Sequence, residues 1–178
     1  MSAQLNPVWP SARSLVAMGV QHLDAVMPIE TAAYEFPWSR GNFVDSLATG
    51  YPAQVLFDAQ GVLLGYFVAM LGVNEWHLLN ITVAPGGQGQ GHGRFMLDRI
   101  AVLCREQRAA TLWLEVRESN LRARAVYARY GFTAVGIRRG YYPAAQSRRE
   151  DAAVMRLLVP DAVSTGSAGT GAAETGAA

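Results

Sequence analysis

The chain has 178 residues, 51% of them hydrophobic and 16% charged, with a formal net charge of +1, which is enough apolar material for one compact domain with a sizeable core. Its longest unbroken apolar or glycine run, Gly61 to Val73, is 13 residues and too short for a membrane span of about 20, and no early stretch reads as a signal peptide, so a cytoplasmic address without membrane contact is expected. A single cysteine, Cys104, and three scattered histidines, His22, His77 and His92, exclude a disulfide framework and a Cys/His zinc site, so no metal is expected.

In chain order, Leu15 to Met18 is a short strand candidate. Leu23, Val26, Met27 and Ile29 to Ala33 suit a helix that Pro28 interrupts. Phe36-Pro37-Trp38-Ser39 breaks the pattern, and Ser39 is placed to cap a second short helix running through Leu47. Ala53 to Phe57, Val62 to Leu71 and Trp76 to Val83 read as successive strands, with turns at Asp58 to Gly61 and Gly72 to Glu75. After the glycine-rich stretch Pro85 to Gly93, Met96, Leu97, Ile100, Ala101, Leu103 and Cys104 recur at helical spacing to about Gln107, with Cys104 a buried small hydrophobe. Thr111 to Arg117 is a strand. Ser119 or Asn120 can cap the next helix, whose apolar stripe is Ala123, Val126, Tyr127 and Tyr130, and Gly131 ends it. Phe132 to Ile137 and Ala152 to Val159 are the last strands, joined by a loop rich in Arg and Tyr. This order implies an α/β domain over about residues 10–160, an antiparallel meander followed by crossover helices on a mixed sheet. Residues 161–178, all Ser, Thr, Gly and Ala from 164 onward apart from Glu174, are expected to be a disordered tail.

All 15 cations are arginine, and they are unevenly placed. Residues 1–93 hold two arginines against six acids, a balance of −4, whereas residues 94–156 hold 13 against six, a balance of +7. This suits an anionic ligand on one side and a basic partner on the other, or simply arginines on solvated helix faces. The aromatics of the basic half are not interleaved with its arginines as a stacking surface requires, so nucleic acid is not an expected partner.

A strand ending at Val83, a glycine-rich turn and a helix starting near Gly93 bring free backbone N–H groups to a positive helix terminus, an anion cradle suited to pyrophosphate. No Gly-x-Gly-x-x-Gly register fits, because Arg94 or Met96 stands where the third glycine should be. A Walker loop fails at His92, where lysine is needed. Along the following strand, alternation puts Leu112, Leu114 and Val116 on one face and Trp113, Glu115 and Arg117 on the other. Glu115 is either a same-face partner of Arg117 or a group available for chemistry, and Tyr127 on its apolar stripe is either core or functional. His77 and His92 offer no partner for a triad or a metal.

Gln88-Gly89-Gln90-Gly91-His92-Gly93 fits the pattern Gln/Arg-x-x-Gly-x-Gly and resembles the acetyl-CoA loop of the GNAT N-acetyltransferases. The resemblance continues in register through Leu114-Glu115-Val116-Arg117, Ser119-Asn120, Val126-Tyr127, Tyr130-Gly131-Phe132, Arg138-Arg139-Gly140-Tyr141-Tyr142-Pro143 and Arg149-Glu150-Asp151-Ala152. Upstream, Phe36-Pro37-Trp38-Ser39 and Asn80-Ile81-Thr82-Val83 match as well. Over about residues 14–158 the chain is similar to the RimI-type N-α-acetyltransferases of that superfamily, which modify the N-terminal alanine of a small-subunit ribosomal protein. It departs from them at Gly89, where a basic residue is common, and at His92, where a small or aliphatic one is common.

The resemblance implies a mixed, mostly antiparallel sheet of six to seven strands flanked by about four helices, with central strands that splay to bind acetyl-CoA. It implies that Ile81, Thr82 and Val83 bind the pantetheine arm through their backbone, that Gln88, Gly89, Gln90, Gly91, His92, Gly93 and Arg94 hold the pyrophosphate, and that Asn120 lies against the coenzyme while capping its helix. Glu115 is then the general base, acting through water, and Tyr127 the acid that protonates the thiolate. Trp38, Tyr141 and Tyr142 would shape a peptide groove, and the acids Glu30, Glu35 and Asp45 would suit a basic N-terminal peptide. A monomer or weak dimer is expected. The rival readings are other N-termini, protein lysine or a small amine as acceptor, or a non-catalytic acyl-CoA-binding module, against which the presence of both Glu115 and Tyr127 argues.

Overall fold

The computed structural model describes residues 12–160, so the expected tail lies outside the described residues. Seven strands, β1 (Ser14–Ala17), β2 (Ala53–Phe57), β3 (Leu63–Leu71), β4 (Glu75–Val83), β5 (Thr111–Arg117), β6 (Thr133–Pro143) and β7 (Arg149–Leu158), form one sheet in the order β1-β2-β3-β4-β5-β7-β6. Among the described residues four α-helices flank it: α1 (Leu23–Ala33), α2 (Arg40–Ala48), α3 (His92–Glu106) and α4 (Leu121–Tyr130). Among the described residues only β4 and β5 pair in parallel, because α3 carries the chain back across the sheet between them. Met96, Leu97, Ile100 and Cys104 of α3 pack on one face against Leu112, Leu114 and Val116, while Leu23 and Val26 of α1 and Phe43 of α2 pack on the other with Tyr66 and Val68.

Two expectations need correction. Helix α1 runs unbroken through Pro28, whose ring is exposed. The missing N–H costs one backbone bond, and the fully buried Leu23 and Val26 outweigh it. The loop rich in Arg and Tyr is mostly strand: β6 extends to Pro143, and Tyr142 and Pro143 pair with Glu150 and Arg149 across an irregularity at Gly140, where φ is +55°. β6 is an edge strand exposed on both faces along most of its length, and beyond Ile137 its run of Arg, Gly and Tyr carries no hydrophobic alternation by which to recognise it.

A β-bulge in β4 positions the site. Val68 opposes Asn80 and Ala69 opposes Leu78, so Leu79 is an extra residue with no partner on β3. Before the bulge Trp76 and Leu78 join the α3 face; after it Ile81 and Val83 do so instead. Leu79 packs with the α1 and α2 cluster, and Asn80 and Thr82 turn toward α1. The β4–β5 pairing stops at Leu78 opposite Leu114, and the strands part beyond it.

Candidate active site

Two clefts open at this parting. The first, about 500 Å³, is lined by Ile81, Thr82, Val83, the glycine-rich loop, Arg94 and the face of α4 that carries Arg122 and Arg129. The second, about 660 Å³, is lined by the loop Glu35 to Trp38, by Glu115 and Arg117 on β5, and by Tyr142. Both clefts reach Tyr34, Ile81, Asn120 and Tyr127.

The first cleft gathers groups that suit an anion. Gly89 and Gly91 both take φ of +81°, a left-handed conformation that side chains with a Cβ rarely adopt. Gly91 is the N-cap of α3 and contributes no side-chain cap, so the first-turn amides of this 15-residue helix are free of intrahelical partners. Gln88 ties the loop down, its Oε1 accepting from Arg122 Nη1 at 3.0 Å and its Nε2 donating to the Val83 carbonyl at 3.5 Å. Gly89 lacks the basic side chain common in similar loops, but the Arg122 guanidinium from α4 lies 3.9 Å from where its Cβ would be, a positive charge beside the loop. Gln90 bonds the Gly86 carbonyl, and Arg94 lies over the Tyr130 ring at 5.9 Å. His92 is buried beneath the loop, where Arg13 Nη1 lies 3.0 Å from its Nδ1. Burial, reinforced by the Arg13 charge, holds its pKa below 6.5, which suits a neutral acceptor. Asn120 caps α4 by accepting from the Ala123 N–H at 3.0 Å.

In the second cleft Glu115 is not the partner of Arg117, the structural alternative that the strand's spacing left open. Arg117 pairs with Glu150 at 3.0 Å, and Glu115 instead meets Arg138 of β6 at 3.3 Å with its side chain 9% exposed. Tyr142 donates its hydroxyl to the Glu115 carbonyl at 2.9 Å, fixing the groove wall to β5. Tyr127 stands half-buried where the clefts meet; burial, with Tyr34 and Tyr142 nearby, drives its pKa well above the usual tyrosine value. Trp38 tilts against Phe43 at 5.2 Å, and Glu35 is exposed at the rim. Tyr141 stays outside both cleft linings, set edge-on to Tyr142 at 4.9 Å.

The acids expected to attract a basic peptide do not act as a set. Asp45 lines neither cleft, and Glu30 is 1% exposed. Glu30 accepts from Trp38 N–H at 2.7 Å, Tyr66 Oη at 2.5 Å and Asn80 Nδ2 at 3.1 Å. Thr82, also buried, joins this network: its hydroxyl donates to Asn80 Oδ1 at 2.7 Å and meets Tyr34 Oη at 2.8 Å. Sequence reasoning missed Tyr34, Tyr66 and Asn80 in this buried network. A signal was present, since Glu30 follows Leu23 and Val26 at i+7 and i+4, on the stripe that α1 buries.

The profile of the Acetyltransferase (GNAT) family matches residues 23–132. The chain is 38% identical over 137 residues to the ribosomal protein bS18-alanine N-acetyltransferase of Escherichia coli strain K12, covering 77% of this chain and 91% of that one. Its identity to the protein of the same name from Haemophilus ducreyi is 31% over 139 residues, covering 78% and 95%. Among solved structures, the ribosomal-protein-S18-alanine N-acetyltransferase from Escherichia coli superposes with a TM-score of 0.77 at 34% identity, over 86% of this chain and 98% of that one. The splayed strands, the glycine-rich loop at the start of α3 and these similarities agree: the chain belongs to the GNAT family of acetyltransferases.

Proposed function

We propose that the chain transfers the acetyl group of acetyl-CoA to the N-terminal alanine amine of ribosomal protein bS18, by direct transfer between the two clefts. The observation that carries the reading is their meeting at Tyr127 and Ile81, with an anion cradle on one side and a carboxylate, Glu115, on the other. Similarity over 91% of the length of the Escherichia coli enzyme supports the acceptor.

The first cleft fits acetyl-CoA on its own features. The free amides at the start of α3, with Arg94, Arg122 and Arg129, suit the phosphates, and the β4 edge left unpaired beyond Leu78 suits an amide-bearing arm. When bound, acetyl-CoA supplies the thioester carbonyl and the leaving sulfur. An α-amine has a pKa of about 7.7–8.0, against about 10.4 for lysine, so a modest base is sufficient. Glu115 takes the amine proton through water as the C–N bond forms. Tyr127, kept protonated by its raised pKa, donates its hydroxyl proton to the sulfur as the C–S bond breaks. Tyr142 and Trp38 hold the acceptor chain, with Glu35 at the rim, and the reaction belongs in the cytoplasm, where ribosomal proteins are made. No helix among the described residues is long and apolar enough to cross a membrane.

The test is mass spectrometry of acetyl transfer to two basic peptides, one with a free N-terminal alanine and no lysine, the other with a blocked N-terminus and an internal lysine. Transfer to the first alone is expected. Transfer to the lysine peptide would overturn the N-terminal assignment.

A further inference from the structure

The buried network of Glu30 has a geometry that plain core polarity does not require. Glu30, near the end of α1, and Tyr34, just beyond it, are four residues apart, a helical rise of about 6 Å. Their partners Asn80 and Thr82 are two residues apart on β4, a strand rise of about 6.6 Å. The two spacings match, so α1 grips β4 by two rungs, Glu30 to Asn80 and Tyr34 to Thr82. The bulge at Leu79 is what turns both strand residues toward α1.

The hydrogen bonds run from Tyr34 toward Glu30, the single Tyr34 hydroxyl proton being shared between Thr82 Oγ1 and the Ile81 carbonyl. Thr82 gives its only proton to Asn80 Oδ1, so Tyr34 is the donor to Thr82 Oγ1, and Asn80 in turn donates to Glu30. Burial keeps Tyr34 and Tyr66 protonated as donors, their pKa values being raised. Glu30 uses its other oxygen, Oε1, for the Trp38 amide in the loop that lines the second cleft. Tyr34 also reaches the Ile81 carbonyl at 3.3 Å, on the strand segment shared by both clefts. One carboxylate therefore joins the loop of the acceptor cleft to the parted end of β4. A buried carboxylate held only by neutral donors is costly to desolvate, and among the described residues no ion pair includes it.

We infer that Glu30 is a positioning residue for acceptor recognition, fixing the Phe36 to Trp38 loop against β4 through Asn80, Thr82 and Tyr34, so that the amine meets the strand parting in one register. This rests on reading the second cleft as the acceptor site.

Glu30→Gln keeps the shape but not the contacts. Whichever way its amide is turned, the NH2 group faces a donor: the Trp38 N–H in one orientation, Asn80 Nδ2 in the other. Thr82→Val, also close in shape, cuts the link between Asn80 and Tyr34. The assay uses the full chain, acetyl-CoA and a basic peptide with a free N-terminal alanine. Each variant should raise the peptide KM about tenfold, and in E30Q the acetyl-CoA Kd, measured by calorimetry, should stay within about twofold. The Trp38 amide should lose hydrogen-exchange protection in E30Q, and the double variant should be no worse than the worse single, as expected for one coupled unit. Ile100→Val, a core control, should lower Tm without moving KM. An unchanged peptide KM in E30Q, an equal loss of coenzyme affinity, or additive effects in the double variant would overturn the inference. If E30Q does not fold, the KM of T82V decides alone. Absence of N-terminal transfer by the wild type is a distinct outcome: it would overturn the acceptor reading and this inference with it.

Discussion

Glu115→Gln tests the proposed chemistry most directly. Three carboxylates line the second cleft: Glu30 is taken up by three donors and Glu35 stands exposed at the rim, which leaves Glu115. The substitution preserves shape, and the groove wall survives because Tyr142 holds the Glu115 backbone carbonyl rather than its side chain. Losing a general base of this kind costs about 10²- to 10⁴-fold in kcat. The residual rate then depends on the amine's own ionisation. With an α-amine pKa of about 7.8, roughly one-seventh is neutral at about pH 7 and over nine-tenths at about pH 9. Turnover of the variant at low peptide concentration should therefore climb about sevenfold across that interval. Glu115 lines only the second cleft, so acetyl-CoA binding by calorimetry should match the wild type. A kcat at pH 7 within about threefold of the wild type would refute the assignment, since no positioned base loses so little.

Gly65 pairs with Val83, and a Cβ there would lie 2.5 Å from the Thr82 carbonyl oxygen, so Gly65→Ala must displace the parted end of β4. At about 1–3 kcal/mol for overpacking, and about 2–4 °C per kcal/mol in a chain of this size, Tm should fall by several degrees and acetyl-CoA bind more weakly; unchanged values would contradict the close approach. Glu150 accepts from the Ser119 N–H and pairs with Arg117, contacts that hold its pKa below 4.5. Its contribution to stability is complete above that value and lost as pH falls through the folded pKa. Thermal melts of wild type and Glu150→Gln should differ above about pH 5 and converge as pH falls through the lowered folded pKa, and a gap independent of pH would count against the pairing. Buried His92 must stay neutral, so its contribution is complete above 6.5 and lost as pH falls toward its lower folded pKa. His92→Asn should flatten the decline of Tm below pH 6.5, and parallel curves for the two proteins would argue against a buried neutral ring.

Periodicity made most of the fold legible. The alternation of Leu112, Leu114 and Val116 located β5 to the residue, and Ser39 and Asn120 both cap the helices they were expected to cap. Legibility ended where side chains lack a consistent face. The second half of β6, beyond Ile137, looked like a loop, and Pro28 looked like a break although one missing hydrogen bond is outweighed by packing. In the site, spacing along one strand suggested Arg117 as the partner of Glu115. The actual partner, Arg138, comes from two strands away, a register that no local pattern records. Acids near one another in sequence looked like one attractive surface, yet Glu30 is buried and Asp45 lies outside both clefts.

The residue that converts this sheet into a site is one with no chemistry of its own. In a regular strand, Asn80 and Thr82 would share the face of Trp76 and Leu78, and two polar side chains would point into the apolar α3 cluster. The extra residue at Leu79 reverses that parity, giving Ile81 and Val83 to the α3 face and turning the polar pair toward Glu30 and Tyr34. The same bulge accompanies the end of pairing with β5 at Leu78, which bares the backbone edge between the two clefts. Parting the strands leaves backbone groups without sheet partners, a cost that a ligand bearing amides can offset and bulk solvent offsets less specifically. The extra residue at Leu79 thus does two things at one position: it turns a polar pair toward α1, and it stands where β4 leaves β5 and bares its edge.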